Sequence, residues 1–408
     1  MLGKNFYIVI VSAIILITGV FFACKPRLEN DEVVFWTLQM NDFAPYINKV
    51  ISEFEKENPE VHIKWVDVPF SEGEKRTLAS VLSDNPPDLV NLNPDFSATL
   101  AHKGALYEIP IESTRQFNKE IMDSLKTNGK VYSIPWYATS AVTIYNKEIA
   151  NKAGVTVPAN YTQVAQYAKI VKSKTGAYIM LPNITENDTM LKILNKYGVA
   201  SSELINSEKS VEIFDLFKYL YSNNLIPKET VTVTLQEALE KYMSGSVMSI
   251  GAGANFLNMV KENAPSTYAK TDVAPQLTGQ LGQNDFSLMN FVIPLRAKHK
   301  EHALKFALFL TNNENQLELA KMTNILAVNE QTLKNEFYTK YDKDDLMAKS
   351  RVISANQLNK ITPSYRTSKN QKEINNIINN AVQEILLDKS DTKSILDKVS
   401  KEWKMLEN

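Results

Sequence analysis

Between residues 33 and 92 the chain alternates two hydrophobic periods, and few architectures accept that alternation. Val33-Val34-Phe35-Trp36 is a short β-rich run, and Pro45 to Asn58 follows with Tyr46, Ile47, Val50, Ile51 and Phe54 at the i, i+3, i+4 recurrence of an amphipathic helix. Asn58-Pro59 stops that helix, and Val61 to Val66 alternates as a second strand. A helix is predicted from about Glu72 to Ser83, then a buried strand at Asp88 to Leu92 behind the Asn85-Pro86-Pro87 turn. Strand, helix, strand, helix, strand predicts an α/β protein with a mainly parallel sheet covered on both faces.

A second block of the same kind begins near Ala141. Strands are predicted at Val142 to Tyr145, Val247 to Gly251 and Leu288 to Leu295, with helices at Asn160 to Lys174, Val211 to Asn223 and His302 to Asn312. The last third is lysine-rich and helical, ending in Ile374 to Leu387 and Ile395 to Leu406, and reads as a solvated helical face. Trp65 and Trp403, on a strand and a helix face, are expected in the core. No internal repeat is present.

Upstream of both blocks, Cys24 is the only cysteine in 408 residues. It ends an apolar stretch, Phe6 to Phe22, that opens with the single base Lys4 and closes on the small residue Ala23. That plan is a lipoprotein signal over residues 1–23, with Cys24 lipidated and residues 24–32 as a polar tether. Phe21 and Phe22 depart from the usual Leu and small residue before such a cysteine. The competing reading is an uncleaved anchor, for which the stretch is short against the roughly 20 residues a spanning helix needs. Either way the remaining chain lies outside the cytoplasmic membrane. With no second cysteine it forms no intramolecular disulfide.

About 385 residues then remain, enough for two domains. The leader carries one base and no acid, so the 45 basic and 46 acidic residues of the whole chain become 44 against 46. So small a net charge gives no field for nucleic acid or anionic lipid. His62, His102, His299 and His302 are scattered, and no metal or cofactor is expected. Gly251-Ala252-Gly253 has no glycine at 256, so it lacks the dinucleotide fingerprint.

Open α/β sheets bind ligands beyond the carboxyl ends of their strands. There the sequence places Trp36 and Gln39 after the first strand, Asn91, Asn93 and Asp95 at the third, Trp136, Tyr137 and Thr139 between the blocks, and Asn255 and Phe256 after the strand near 250. Aromatic faces mixed with amides and hydroxyls suit a neutral polyol, whose C–H faces stack and whose hydroxyls need paired donors and acceptors. Competing structural roles are a core position for Trp36, loop hydrogen bonding for Asn91 and Asn93, and helix capping for Asp95. Of Trp136 and Tyr137, one is expected to face the cleft and the other to pack.

The chain resembles the extracellular solute-binding proteins of bacterial ABC sugar importers, the family that includes maltose-binding protein. The likeness runs from Val33 to the C-terminal helices. It is carried in order by Val34-Phe35-Trp36-Thr37, Phe54 to Pro59, Pro87 to Asn91, Lys103-Gly104-Ala105-Leu106, Gly129 to Trp136, Ile144 to Lys147 with Ala153-Gly154, Ala303 to Thr311, and Ile325 to Asn329. The resemblance implies a two-lobe periplasmic-binding-protein-like fold with discontinuous lobes, 31–137 with 288–330 and 138–287 with 331–408. The hinge between them is crossed more than once, at Trp136 to Ser140 and near 287 and 331.

It also implies cleft positions at Trp36, Gln39, Asp95, Thr139 and the Gly253-Ala254-Asn255 turn, and at Tyr365 and Arg366 in the late Pro363-Ser364-Tyr365-Arg366 segment. Many members have Gly-Pro-Trp at that turn. Ala254 and Asn255 here remove the stacking tryptophan or leave its role to Phe256. At Thr139 the maltose binder carries a carboxylate. The implied function is capture of a carbohydrate by lobe closure and delivery to ABC permease subunits, by a monomer without catalysis of its own. Alternatives are a binding protein for a polyol phosphate such as glycerol phosphate, a secreted carbohydrate-active hydrolase, or a scaffold lipoprotein without a ligand.

Overall fold

A computed structural model describes residues 31–361, 368, 370–387 and 391–407. Cys24, Tyr365 and Arg366 lie outside the described residues.

The first block forms β1 (Asp31–Leu38), α1 (Ala44–Glu57), β2 (Val61–Val68), α2 (Phe70–Val81), β3 (Leu89–Leu92) and α3 (Pro94–His102). β2, β1 and β3 run parallel, with Phe35 beside both Trp65 and Leu89. The chain then makes β4 (Ser133–Thr139) and, without a helix between, β5 (Ala141–Asn146). After α4 (Tyr161–Thr175) come β6 (Tyr178–Met180), α5 (Thr189–Asn195), α6 (Glu208–Ser222), β7 (Val247–Gly253), α7 (Phe256–Asn263), β8 (Thr271–Pro275) and β9 (Ser287–Val292). Helices α8 (Lys300–Leu310), α9 (Asn313–Thr323), α10 (Leu346–Gln357), α11 (Gln371–Leu387) and α12 (Thr392–Glu407) follow.

Two main sheets result, ordered β2-β1-β3-β9-β4 and β8-β5-β7-β6, beside a two-stranded ladder of Lys126–Thr127 with Lys130–Val131. The expectation of mainly parallel pairing holds for β1 to β3 and for β6 with β7, and fails for the other pairs. β9 pairs antiparallel with both β3 and β4, and β5 pairs antiparallel with β7 and β8. The cause is topological. β4 and β5 are joined at Ser140 while belonging to different sheets, and β9 reaches the first sheet from the second rather than over a covering helix.

β4 is the edge of the first sheet, which is where Pro135, having no N–H, is tolerated. Opposite it Met289 pairs with Tyr137 and Asn290 with Pro135, so Trp136 is the extra residue of a β-bulge. The bulge turns its indole inward. Trp136 is wholly buried, stacked on Phe291 with ring centroids 4.6 Å apart, and its carbonyl accepts a hydrogen bond from Gln316 Nε2.

Each sheet has its own core. Phe35, Phe54, Phe291 and Phe306 centre the first, with Tyr338, Ala355, Leu358 and Ile361 from later in the chain. Phe214, Phe217 and Trp403 lie in the second, where α11 and α12 bury Ile378, Ile385 and Leu396 on one face and leave the lysines outside. Trp65 is half-buried against the first core. Among the described residues no helix is long and apolar enough to cross a membrane.

Candidate functional site

The carboxyl ends of β1, β4 and β7 meet between the sheets. Two cavities of about 390 Å³ and about 380 Å³ open there and share Thr139, Ser140, Gly253 and Asn255, so they are two ends of one cleft. The first is walled by Met40, Phe43 and Tyr137 and by Thr323 to Leu326 at the end of α9 and just beyond it. The second runs into the other lobe past Phe256, Asn183, Tyr161, Lys196 and Asp285.

The turn after β1 is held by Asp67, whose Oδ1 accepts from Thr37 Oγ1 at 2.6 Å and from the Met40 amide at 2.9 Å. Gln39 bridges it in the left-handed region at φ 51°. This geometry sends Met40 and Phe43 into the cleft while Gln39 stays exposed and lines neither cavity. Trp36 also lines neither. It is half-buried, with the Arg76 guanidinium 5.2 Å from its ring centre.

Three further expectations are corrected here. Asn91 is wholly buried inside the first sheet, its Nδ2 donating to the Asn290 carbonyl at 3.2 Å, and it cannot reach the cleft. Asn93 caps α3, its Oδ1 accepting from the Phe96 amide at 2.8 Å, so capping falls to Asn93 rather than Asp95. Asp95 lies in the first turn of that helix and lines neither cavity. Trp136 is the packed member of its pair, and Tyr137 is the one at the cavity wall, where burial pushes its hydroxyl up to about 12.

Asn255 is placed differently from Asn93. It occupies the residue before α7 with φ −57° and ψ −29°, already helical, and its side chain makes no capping hydrogen bond. Its amide makes no hydrogen bond with a described residue and stands at both cavities. Gly253 makes that position possible, because a Cβ there would lie 2.5 Å from Asn255 Oδ1. Thr139 is exposed on the shared rim, and Phe256 presents its ring to the second cavity. The structure thus brings together Tyr137, Thr139, Asn255 and Phe256, an arrangement that offers rings for C–H faces and free donors and acceptors for hydroxyls.

Several cleft residues had no signal in the sequence. Ser140 is one: its Oγ accepts from Gln276 Nε2 at 3.1 Å and Gln357 Nε2 at 2.9 Å, and donates to the Asp285 carbonyl at 3.3 Å. Lys196 and Asp285 form an ion pair at 3.2 Å, and Lys192 and Asp188 another at 3.2 Å. Asp285 is the one carboxylate among the described residues lining the two cavities.

A model of the bacterial extracellular solute-binding protein family matches residues 39–317. The multiple sugar-binding protein of Streptococcus mutans serotype c is 24% identical over 308 residues, covering 69% of this chain and 72% of that protein. Among solved structures, a candidate oligosaccharide periplasmic-binding protein from Synechococcus sp. MITs9220 superposes with a TM-score of 0.83 at 27% identity, over 91% of this chain and 98% of that one. The sugar-binding protein MalE from Xanthomonas citri gives a TM-score of 0.79 at 17% identity, over 92% and 97%.

Proposed function

This chain belongs to the bacterial extracellular solute-binding protein family, and on that premise we propose that it is the substrate-binding component of an ABC importer that captures a carbohydrate between two closing lobes. The observation that carries the reading is the cleft wall where Asn255, its amide unspent, stands with Thr139, Tyr137 and Phe256. Relatives named for sugars and oligosaccharides support the same ligand class.

Ligand contacts from both lobes stabilise the closed form, which permease subunits then receive. The protein works outside the cytoplasmic membrane as a monomer tethered through a lipid on Cys24. Its lobes comprise 31–137 with 288–330 and 138–287 with 331–408, the latter segment leaning Tyr338, Ala355, Leu358 and Ile361 on the first lobe's core as it passes. Hydrolysis is disfavoured because it needs two carboxylates about 5–10 Å apart across one bond, and the cavity walls supply Asp285, already paired with a lysine. A polyol phosphate is disfavoured because the lysines lining the cleft, Lys192 and Lys196, both face aspartates.

The test is the melting temperature of the purified protein against mono-, di- and oligosaccharides, with glycerol phosphate and polyamines as controls. A ligand that binds only the folded state adds about 2.7 kcal/mol of stability at a hundredfold excess over its Kd. Sugar-specific stabilisation is the expected result. A response confined to the charged controls moves the ligand outside carbohydrates, and release of reducing sugar restores the hydrolase.

A further inference from the structure

The second cavity contains a cation that is not available to any ligand. The Lys196 side chain is 3% exposed, and burial draws its ammonium pKa down while Asp285 pulls it back. An ammonium has three donors. Those of Lys196 face Gln276 Oε1 at 2.7 Å, the Leu277 carbonyl at 2.7 Å and Asp285 Oδ2 at 3.2 Å. The lysine backbone is equally fixed. Gly279 lies so close that a Cβ on it would stand 2.5 Å from the Lys196 carbonyl oxygen.

Asp285 is the complementary case. Oδ2 faces Lys196, while Oδ1 takes no hydrogen bond from a described residue, and the side chain, 22% exposed, lines the cavity. Tyr161 lines it too, its hydroxyl unpartnered among the described residues and sensing the Asp285 charge. Lys192, the other cation on this wall, faces Asp188.

We propose that Asp285 is the specificity-determining residue of this cavity: Oδ1 accepts from hydroxyls of a neutral sugar with Tyr161 beside it, and sugars bearing a carboxylate or phosphate are refused. Lys196 is the positioning residue. It locks the carboxylate, keeps no N–H for an anion, and leaves a negatively charged ligand facing Asp285 alone. The proposal rests on the carbohydrate reading above.

The test compares glucose, maltose, maltotriose and further neutral oligosaccharides with glucuronate and glucose 6-phosphate by calorimetry on the purified protein. The neutral sugar that binds is expected to outbind anionic analogues of its own ring by roughly a hundredfold. Asp285→Asn should weaken that sugar by roughly tenfold to a hundredfold and narrow the gap to its anionic analogue, because the lysine charge is then uncompensated. A merely structural role would not move that ratio. Should Asp285→Asn fail to fold, Lys196→Met/Asp285→Asn leaves no buried charge and should still lose the neutral sugar, and Tyr161→Phe should weaken it without altering the ratio. Equal affinity for neutral and anionic sugars, or unchanged neutral affinity in the aspartate variants, overturns the proposal and leaves carbohydrate capture standing. Silence toward every sugar overturns both.

Discussion

Trp136→Ala removes an indole that lies wholly inside the first lobe, on Phe291 and against Tyr137. Burying a side chain of that size takes about 200 Å² out of water, which at about 25 cal/mol per Å² corresponds to about 5 kcal/mol. Core tryptophan or phenylalanine truncations cost about 3–5 kcal/mol, since some of the cavity collapses. No hydrogen bond is lost with the ring, because Nε1 has no partner among the described residues. We therefore expect urea denaturation to show a loss of about 3–5 kcal/mol, while calorimetry on the folded fraction shows a change in sugar affinity of less than about tenfold, or 1.4 kcal/mol. Trp136→Phe, which keeps a ring on Phe291, should recover most of the stability. Intact stability with a larger fall in affinity would refute the packing argument and put the indole on the ligand.

Gly253→Ala should push the Asn255 amide aside, since only a side-chain end blocks the new Cβ. Sugar affinity should fall about tenfold, as it should in Asn255→Ala, and the double variant should be little worse than either by calorimetry. At Gly279 the obstruction is backbone, with Lys196 C at 2.7 Å, so Gly279→Ala should lower the urea midpoint by the equivalent of about 1–3 kcal/mol; an unchanged midpoint would contradict the close approach. Burial raises the hydroxyls of Tyr46, Tyr137, Tyr161, Tyr242 and Tyr338 above the ordinary 10.0. A group whose folded pKa is raised contributes stability that is complete below pH 10 and is lost as pH rises through the folded values. Burial also raises Tyr145, Tyr197 and Tyr268, while Lys196 and Arg351, drawn down by burial, pull the other way. Stability should therefore decline above about pH 10, with the tyrosinate absorbance of these buried rings appearing together with unfolding rather than ahead of it.

Periodicity was enough to place α1, α4, α6 and the first three strands within a few residues, because each buries a face set by its own local pattern. Direction of pairing was not local. The antiparallel entry of β9 depends on where the chain has been since β3, and nothing within Ser287–Val292 encodes it. Trp136 illustrates the same limit at one residue, for a bulge opposite Met289 and Asn290 decides which way its indole points. The amides divide by their backbone: Asn93, extended at φ −75° and ψ 160°, spends its oxygen on the helix, whereas Asn255, already helical, cannot. Lys196 and Asp285 carry no shared motif, and only the folded chain makes them neighbours.

Ser140 sits where the chain first leaves one sheet for the other, Gln276 where it starts back, and Gln357 at the end of the helix that packs on β8 and β5 after the last return. All three meet at one hydroxyl. Separate linkers would let the halves slide, shear and twist independently. Pinned together, they form a pivot, and the motion left to the lobes is mainly a swing about it. Closure then behaves as a single angular coordinate, so that a ligand gripped anywhere along the opening changes the same angle.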